Sequence, residues 1–363
     1  MKAVKPASFH IDVVGLMSGT SLDGLDLCCV SFDFDGRWHY RIVKAESIDY
    51  PEDLRRKLAT AQRMSSLDYA RLHSDYGLYL GEQVRSFVER NQLKADLVAS
   101  HGQTIFHQPG VRFTAQIGSG AGIAAVSGID TVCDFRTTDV ALGGQGAPLV
   151  PIGDAVLFGD YDYCLNLGGF SNISFAQGEQ RLAYDISPVN YVLNHYAGLR
   201  GLAFDRDGEL ARSGRVCRDL LDRLNALPFY TQDGPKSLGR EWVEQTVYPL
   251  IEGYGLPAED VLATFVEHVA VQIGRHVRGG RVLTTGGGAR NRFLLERMRA
   301  AAPQADYVVP DPLTIDFKEA LIFALLGALY VADLPNCLSS VTGAAFDNIG
   351  GCLYKGRRNR AKA

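Results

Sequence analysis

Residues 15–24 hold the densest set of groups in this chain that could bind a phosphate: three glycines, three hydroxyl side chains and the carboxylate of Asp23. Glycine lets backbone N–H groups approach a phosphate closely, and hydroxyls donate further hydrogen bonds. Asp23 or Asp26 could reach a magnesium ion directly or through water. The lysine of a Walker sequence is missing, and a polar hairpin turn is the structural alternative. We predict a phosphate-binding turn.

Two later glycine-rich segments have a similar character. Gly168 and Gly169 stand between two predicted strands, and with Asn172 they could face a phosphate, although Gly-Gly turns are common. Gly286, Gly287 and Gly288 follow a strand and open a helix, where a nucleotide can lie on the backbone, with close helix–strand packing as the alternative. The series predicts an ATP site in which the two hairpins close on the triphosphate from opposite sides.

Asp185 is the candidate general base. It ends an apolar strand, and a strand-terminal aspartate can take a proton from water or a hydroxyl during phosphoryl or glycosyl transfer. Its structural alternative is to cap the helix that follows.

Two donor-rich segments follow predicted strands and suit a hydroxylated or carboxylated ligand. The first contains His101 and Gln103, and the second contains Arg136, whose planar guanidinium could bind a carboxylate through two hydrogen bonds. Alternatively, His101 is a satisfied turn residue and Arg136 pairs with Asp134 or Asp139.

The bulk composition predicts a globular protein of about two domains. The chain has 363 residues, of which 46% are hydrophobic and 21% charged, with a net charge of -4. This charge provides no basic field, so we expect neither nucleic acid nor a membrane surface as a partner. The seven cysteines form no CxxC pair and are expected to be reduced thiols. No signal peptide is recognisable and the most apolar stretch, residues 320–332, is too short to span a bilayer, which predicts a cytoplasmic protein.

The hydrophobic pattern predicts two α/β domains with the same opening. Strands at 13–16, 25–32 and 40–45 are followed by helices at 52–61 and 66–91. Strands at 163–167, 173–175 and 182–185 repeat the pattern, and long helices follow at 261–277 and 318–332. We place a first domain at residues 1–138 plus 316–363 and a second at 139–315.

Several motifs in this order resemble the anhydro-N-acetylmuramic acid kinase family, which belongs to the sugar kinase, Hsp70 and actin superfamily. The resemblance runs from residue 15 to about residue 351. The motifs that carry it are GLMSGTSLDGLD (15–26), SHGQTIFHQP (100–109), QIG (116–118), DFRTTDVALGGQGAPLVP (134–151), LNLGGFSN (165–172), FDRDG (204–208), GPKSLGRE (234–241), TGGGARN (285–291) and CLSSVTGA (337–344).

The resemblance implies an actin-like α/β fold of two domains, with mixed sheets flanked by helices and an ATP cleft between the domains. It also implies MgATP as cofactor, a 1,6-anhydro amino sugar as substrate, and water-assisted opening of the anhydro ring coupled to phosphorylation of O6, in peptidoglycan recycling. By motif position Asp185 would be the base. From the residues of the first turn we expect Asp23 to be a metal ligand, and we expect a homodimer. The implied phosphate contacts are Gly19, Thr20, Ser21, Leu22, Asp23, Gly24, Leu25 and Asp26, and the implied sugar contacts are Ser18, His101, Gln103, Arg136, Asn190 and Glu319.

The chain departs from the family pattern directly after Asp185. A small residue or Thr followed by Gly-Pro-Gly-Asn is usual, whereas residues 186–190 read Ile-Ser-Pro-Val-Asn. Loss of both glycines replaces permissive backbone positions by restricted ones, which predicts altered contact geometry near the substrate. The alternatives are a kinase for another anhydro sugar or a hexose, a catalytically weak relative, and an ATP-gated binding protein.

Overall fold

The computed structural model describes residues 9–19, 22, 24–232 and 234–356. The chain forms two compact units. Unit 1 comprises Met1–Leu157 and Phe317–Ala363, and unit 2 comprises Phe158–Asp316.

The central sheet of unit 1 has six strands in the order β13-β7-β4-β1-β2-β3. β1, β2 and β3 form an antiparallel meander, and β4 and β7 join parallel to β1. β5 and β6 form a separate hairpin. The strands are β1 Phe9–Ser18, β2 Gly24–Phe34, β3 Trp38–Asp49, β4 Leu97–Ser100, β5 Gln103–Gln108, β6 Phe113–Ile117, β7 Asp130–Cys133 and β13 Cys352–Tyr354.

The helices of unit 1 flank this sheet. The longest, α2, places Leu72, Tyr76, Leu80 and Val84 on one buried face because side chains four residues apart share a helix face. Ser65 caps it by accepting a hydrogen bond from the Asp68 N–H. The helices are α1 Glu52–Thr60, α2 Ser66–Arg90, α3 Gly120–Ser127, α4 Thr137–Ala141, α5 Val150–Leu157, α13 Pro312–Val331, whose first residues belong to unit 2, and α14 Ser339–Thr342, with short 3-10 turns at Ala61–Arg63 and Pro109–Val111.

Unit 2 repeats the topology of unit 1. Its five strands have the order β10-β9-β8-β11-β12, with an antiparallel meander followed by two parallel strands. The predicted α/β class is therefore confirmed. The strands are β8 Tyr163–Leu167, β9 Phe170–Gln177, β10 Gln180–Pro188, β11 Gly280–Thr285 and β12 Ala305–Val308.

The helices of unit 2 surround a core centred on α11, which has eleven buried residues. The helices are α6 Asn190–Gly198, α7 Glu209–Ser213, α8 Arg218–Asn225, α9 Arg240–Trp242, α10 Tyr248–Glu252, α11 Ala258–His276 and α12 Arg292–Ala301, with 3-10 turns at Arg206–Gly208, Pro228–Thr231 and Gly287–Arg290 and a π-helical turn at Val243–Val247. In the part of the chain that the structure describes, no helix is long and apolar enough to cross a membrane.

The first boundary lies later in the chain than the predicted residue 139. Asp139 is fully buried, and its carboxylate accepts hydrogen bonds from Thr342 and Asn348 in the C-terminal segment of unit 1. Further along, Asp154 forms a buried 2.8 Å ion pair with Lys318. These contacts hold residues 139–157 in unit 1. The second boundary, at 316/317, lies next to the predicted 315/316.

Gly15 allows α13 to pack directly on β1. A Cβ at this position would lie 2.0 Å from the carbonyl oxygen of Ala320 and 2.9 Å from the backbone nitrogen of Ala324. Neither backbone atom can rotate away, so a side chain here must push the helix off the strand.

We predict that Gly15→Ala destabilises the protein by about 3 kcal/mol, because overpacking against backbone cannot be relieved by a rotamer change. Chemical denaturation measures the effect. Gly110→Ala is the matched control, since a Cβ there meets no atom within 4 Å. Equal stability of the two variants would contradict the close packing of α13 on β1.

Candidate active site

The first glycine-rich turn is described only in part, because Thr20, Ser21 and Asp23 lie outside the described residues. The Leu22 N–H donates to the Gly19 carbonyl at 3.2 Å, and Leu22 has a positive φ of 59°. Gly24 and Leu25 begin β2. A Cβ on Gly24 would lie 2.5 Å from the Ile48 carbonyl oxygen, so packing against β3 requires this glycine.

Asp26 and Ser18 lie on the neighbouring ends of β2 and β1. The Ser47 hydroxyl donates to Asp26 Oδ1 at 2.5 Å. The Ser18 hydroxyl is buried and lies 2.7 Å from the hydroxyl of Tyr76, which in turn lies 2.7 Å from that of Tyr50. The side chain of Ser18, a predicted sugar contact, is therefore engaged inside unit 1.

His101 is held as a neutral imidazole. Its Nδ1 lies 3.2 Å from the Ser18 carbonyl oxygen, which can only accept, so Nδ1 carries the proton. Nε2 then accepts a 2.9 Å hydrogen bond from Arg136 Nη2. Burial, followed by the charge of Arg136, lowers the pKa of His101 to about 3. His101 therefore stays uncharged at physiological pH.

Arg136 is fixed by neutral partners rather than by the Asp134 or Asp139 pairing considered above. Besides His101, its Nη1 donates to the Gly146 carbonyl at 2.6 Å. Burial lowers the Arg136 pKa to about 10, so the guanidinium remains protonated at neutral pH. Its Nε has no hydrogen-bond partner among the described residues. A buried, charged donor without a partner suits an anionic ligand.

Glu319 and Gln103 add acceptors to unit 1. Part of the Glu319 side chain is exposed to solvent. Desolvation by the surrounding protein, followed by the charge of Asp26, raises the pKa of Glu319, and the charge of Arg136 opposes this rise. Gln103 begins β5, a strand that the sequence did not predict, and its buried Oε1 has no partner within the described ranges. Both groups could receive hydroxyl donors from a ligand.

The turn at Gly168 and Gly169 links β8 directly to β9. The two carbonyl groups accept hydrogen bonds from the first N–H groups of α6, including that of Asn190 to Gly168 at 3.2 Å. A Cβ on Gly169 would meet only the Tyr191 Cβ, at 3.9 Å, so packing does not require glycine there. The turn therefore leaves room on its outer side.

Asp185 lies on β10 directly opposite Asn172 of β9, so the predicted base and a predicted phosphate contact are cross-strand neighbours. The Leu238 N–H donates to Asp185 Oδ2 at 2.8 Å, and the Asp185 N–H donates to the Lys236 carbonyl. Burial raises the pKa of Asp185, an effect that the Leu238 hydrogen bond partly offsets. A raised pKa improves a carboxylate as proton acceptor.

The side chains that depart from the family pattern after Asp185 are buried in unit 2. Ser187 and Val189, which occupy the two glycine positions of the family pattern, are both fully buried. The Ser187 N–H donates to the Ser171 hydroxyl at 3.1 Å, and the Val189 N–H donates to the Gly169 carbonyl at 2.8 Å. Both side chains are thus accommodated by the core rather than presented to a ligand.

The three glycines after β11 have different roles. Gly286 has a φ of 79°, and a Cβ there would lie 2.5 Å from Asn166 Oδ1; a Cβ on Gly288 would lie 2.8 Å from the Leu167 Cβ. These two allow the turn to pack against β8. Gly287 is open, since its nearest neighbour would be Asn190 Nδ2 at 3.6 Å.

Gly287 and Asn190 line a cavity of about 520 Å³, within the usual range for a small-molecule site. Asn190 was predicted to contact sugar, but the structure groups it with this glycine segment. The partly exposed ring of Phe204 offers an apolar face. The lining residues are Asn190, Leu193, Asn194, Phe204, Asp205, Arg206, Asp207, Gly287, Arg290 and Asn291.

Sequence reasoning assigned roles to Asn190 and Gly287 but none to Leu238, which holds Asp185, or to the cavity-lining residues 204–207. Leu238 acts through its backbone N–H, which no side-chain type reveals. The available sequence signal was the density of glycine and charged residues in two motifs. GPKSLGRE (234–241) contains Leu238, and FDRDG (204–208) contains the cavity-lining residues 204–207. The Asp205 carboxylate accepts hydrogen bonds from the Leu210 and Ala211 N–H groups in the first turn of α7.

Among the described residues, no group of three or more His, Cys, Asp and Glu side chains could hold a metal ion. Mg²⁺ in phosphoryl transfer keeps several waters and phosphate oxygens and needs only one or two carboxylates. The Asp26 carboxylate is compatible with that arrangement. All seven cysteines are free thiols, as predicted.

The family model and a curated relative identify the same family. The anhydro-N-acetylmuramic acid kinase family model matches residues 11–356. An anhydro-N-acetylmuramic acid kinase of Pseudomonas paraeruginosa is 37% identical over 94% of this chain and 98% of its own length. Among solved structures, xylulose kinase from Rhodospirillum rubrum is 12% identical, covering 88% of this chain and 90% of its own (TM-score 0.44), and Acidaminococcus fermentans (R)-2-hydroxyglutaryl-CoA dehydratase component A is 14% identical, covering 87% and 97% (TM-score 0.44).

The class of protein follows from the sequence matches: it is a kinase, a phosphotransferase with an alcohol group as acceptor. The kinase class implies use of ATP. The chain belongs to the anhydro-N-acetylmuramic acid kinase family.

We predict that Gly287→Ala raises the KM for ATP by about tenfold, since a methyl group then occupies the surface that a nucleotide would approach. Its thermal stability should match that of the unsubstituted protein. Gly286→Ala is the contrasting variant and should lose stability, because alanine is strained at a φ of 79°. An unchanged ATP KM for a folded Gly287→Ala enzyme would contradict the assignment.

Proposed function

We propose that this enzyme uses ATP and water to open 1,6-anhydro-N-acetylmuramic acid and phosphorylate its O6, giving N-acetylmuramic acid 6-phosphate and ADP. The reaction would serve peptidoglycan recycling and amino-sugar catabolism in the cytoplasm. The observation that carries the proposal is Asp185, a carboxylate of raised pKa that is held by the Leu238 N–H and lies opposite Asn172 on the neighbouring strand. Within the described residues its Oδ1 accepts no hydrogen bond, which leaves that oxygen for water.

In the proposed reaction Asp185 takes a proton from a water molecule while the oxygen of that water attacks C1 of the sugar. The C1–O6 bond breaks, and O6 attacks the γ-phosphorus while the bond to ADP breaks. The sugar gains an anomeric hydroxyl from water and a phosphoryl group on O6, and Asp185 retains the proton until it is released to solvent. Attack by water requires a base that deprotonates the water. In an ordinary kinase reaction the base instead deprotonates the hydroxyl group of the acceptor.

Unit 2 would bind the nucleotide. The open faces of Gly169 and Gly287 leave backbone accessible, and the 520 Å³ cavity with Phe204 suits an aromatic base. Mg²⁺ would accompany the phosphates, and Asp26 is the described carboxylate that we assign to it, directly or through water. The ion would neutralise charge that develops on the transferred phosphoryl group.

Unit 1 would bind the sugar. N-acetylmuramic acid carries a lactyl carboxylate, and Arg136 offers a fixed guanidinium with an unpartnered Nε. Gln103 and Glu319 supply acceptors for hydroxyl or amide donors, while neutral His101 holds Arg136 without competing for the anion. The ring substituents of this substrate therefore match the donors and acceptors of unit 1.

A direct test incubates the enzyme with ATP, 1,6-anhydro-N-acetylmuramic acid and ¹⁸O-labelled water. We expect ADP, a 6-phosphorylated sugar, and label on the anomeric oxygen but not in the phosphate. Unlabelled product kept in labelled water for the same time controls for exchange at C1. Absence of sugar phosphate, with 1,6-anhydro-N-acetylglucosamine or a hexose phosphorylated instead, would establish the alternative acceptor.

We predict that Asp185→Asn lowers kcat by about 10²- to 10⁴-fold, the usual contribution of a general base. Because the folded-state pKa of Asp185 is raised, the charged form is disfavoured by folding. Asp185→Asn should therefore be at least as stable as the parent at neutral pH, and any stability gain should disappear as the pH falls through the Asp185 pKa.

The pH profile gives a second reading of the same residue. The acidic limb of kcat/KM should lie above the ordinary aspartate pKa of about 3.9, since the base works only when deprotonated. His101 should contribute no limb, because its pKa is about 3 and it stays neutral. Full phosphotransfer by a folded Asp185→Asn enzyme would refute the assignment of the base.

A further inference from the structure

Asp139 is joined to Arg136 by two hydrogen bonds in series through Gly146. The Gly146 N–H donates to Asp139 Oδ2 at 2.7 Å, and the Gly146 carbonyl accepts from Arg136 Nη1 at 2.6 Å. Asp139 itself is fully buried. Any shift of the Gly146 backbone therefore moves one of the two acceptors that hold the guanidinium.

Backbone hydrogen bonds hold the residues before Gly146: the Gly144 N–H donates to the Asp139 carbonyl at 2.9 Å, and the Gln145 N–H donates to the Thr342 carbonyl at 2.8 Å. Gly146 has a φ of 66°, a left-handed conformation that glycine adopts readily, so the local chain does not by itself enforce one position. The Asp139 carboxylate fixes the position of Gly146 by accepting a hydrogen bond from its N–H. A charged acceptor makes a backbone hydrogen bond stronger than a neutral one would.

The other oxygen of the same carboxylate has a separate set of partners. Asp139 Oδ1 accepts from the Thr342 hydroxyl at 2.8 Å, the Asn348 Nδ2 at 2.9 Å and the Cys337 Sγ at 3.1 Å. One oxygen thus anchors the C-terminal segment of unit 1, and the other anchors the loop that holds Arg136. Only a carboxylate can accept on both sides.

Arg136 depends on this support for its geometry. His101 Nε2 and the Gly146 carbonyl fix the guanidinium at two nitrogens, while Nε is left without a partner among the described residues. A guanidinium binds a carboxylate well only when its plane is aligned with the two oxygens. Fixing that plane before binding avoids the entropy cost of ordering the side chain.

We propose that Asp139 is a positioning residue that sets the orientation of Arg136 toward a carboxylated substrate. The inference rests on the proposed function, in which Arg136 binds the carboxylate of the anhydro sugar. Asp139 acts through Gly146 and does not contact substrate.

The test replaces one atom of the carboxylate. In Asp139→Asn, the amide oxygen at the Oδ1 position can keep the bonds to Thr342 and Asn348, while the amide NH₂ faces the Gly146 N–H as a second donor. The Gly146 link is then lost. We expect the KM for 1,6-anhydro-N-acetylmuramic acid to rise on the order of 10- to 100-fold, with the KM for ATP unchanged, because a misplaced binding group costs up to about 10²-fold.

Thr342→Val is the matched control on the other oxygen. It removes a donor to Oδ1 and leaves the Gly146 link intact. We expect it to lose stability but to keep the sugar KM within about twofold, since separate interactions have largely additive effects. If both variants raise the sugar KM equally, Asp139 acts only through general stability and the proposal is overturned.

Two further measurements address the route through Arg136. In an Arg136→Ala background, Asp139→Asn should not raise the sugar KM further, because the group it positions is absent. The parent enzyme should also prefer the carboxylated sugar over 1,6-anhydro-N-acetylglucosamine, and Asp139→Asn should reduce that preference. Additive effects in the double variant, or an unchanged preference, would overturn the proposal.

Hydrogen exchange in the unsubstituted protein keeps the proposal testable if Asp139→Asn does not fold. The Gly146 amide should be protected, and 1,6-anhydro-N-acetylmuramic acid should increase its protection. Free exchange of that amide, with or without the sugar, would contradict the link. Failure of the parent enzyme to phosphorylate the sugar would instead reject the proposed function. If the parent enzyme phosphorylates the sugar and Asp139→Asn has the same sugar KM, only this inference is rejected.

Discussion

The close approach of backbone to backbone at glycine positions is the constraint on which both units depend. In unit 1, the missing side chain of Gly15 brings the Ala320 carbonyl against β1, and Glu319 precedes that alanine directly. In unit 2, Gly286 and Gly288 bring the turn after β11 against Leu167 at the end of β8. Close backbone packing at glycine therefore places Glu319 near β1 in unit 1 and the open Gly287 near the end of β8 in unit 2.

Burial determines the protonation states that the proposed chemistry needs. It raises the pKa of Asp185, lowers that of His101 to about 3 and lowers that of Arg136 to about 10. The directions follow from one rule, that a low-polarity environment disfavours the charged form of each group. Consequently the base gains proton affinity, the imidazole stays neutral, and the guanidinium keeps its charge because its ordinary pKa is so high.

In both candidate sites, hydrogen bonds from residues that would not contact the ligand hold the functional side chain in place. Asp185 is held by the backbone of the 234–241 segment, and Arg136 is held by the Gly146 carbonyl and a neutral histidine. Such partners restrict the orientation of the functional group before a ligand arrives. They are also the parts of a site that a substitution can alter without touching the ligand.

The sequence by itself determined the elements with local causes. The spacing of apolar residues defined α2, Ser65 supplied its cap, and the three glycine-rich turns marked the candidate phosphate and nucleotide contacts. The repeated strand-turn-strand opening predicted two α/β units, and the motifs in series indicated the family. These signals lie within a few residues of one another, so the chain carries them without reference to its fold.

Only the tertiary structure decided which of these residues are free to act. It distinguished open Gly287 from packed Gly286, placed Asn190 beside the glycines of β11, put the Ser187 and Val189 side chains in the core, and moved the first boundary to residue 157. It also brought Leu238 to Asp185 and Asp139 to Gly146. Burial and hydrogen-bond partners between segments distant in sequence depend on how the chain packs, and residue type alone does not record them.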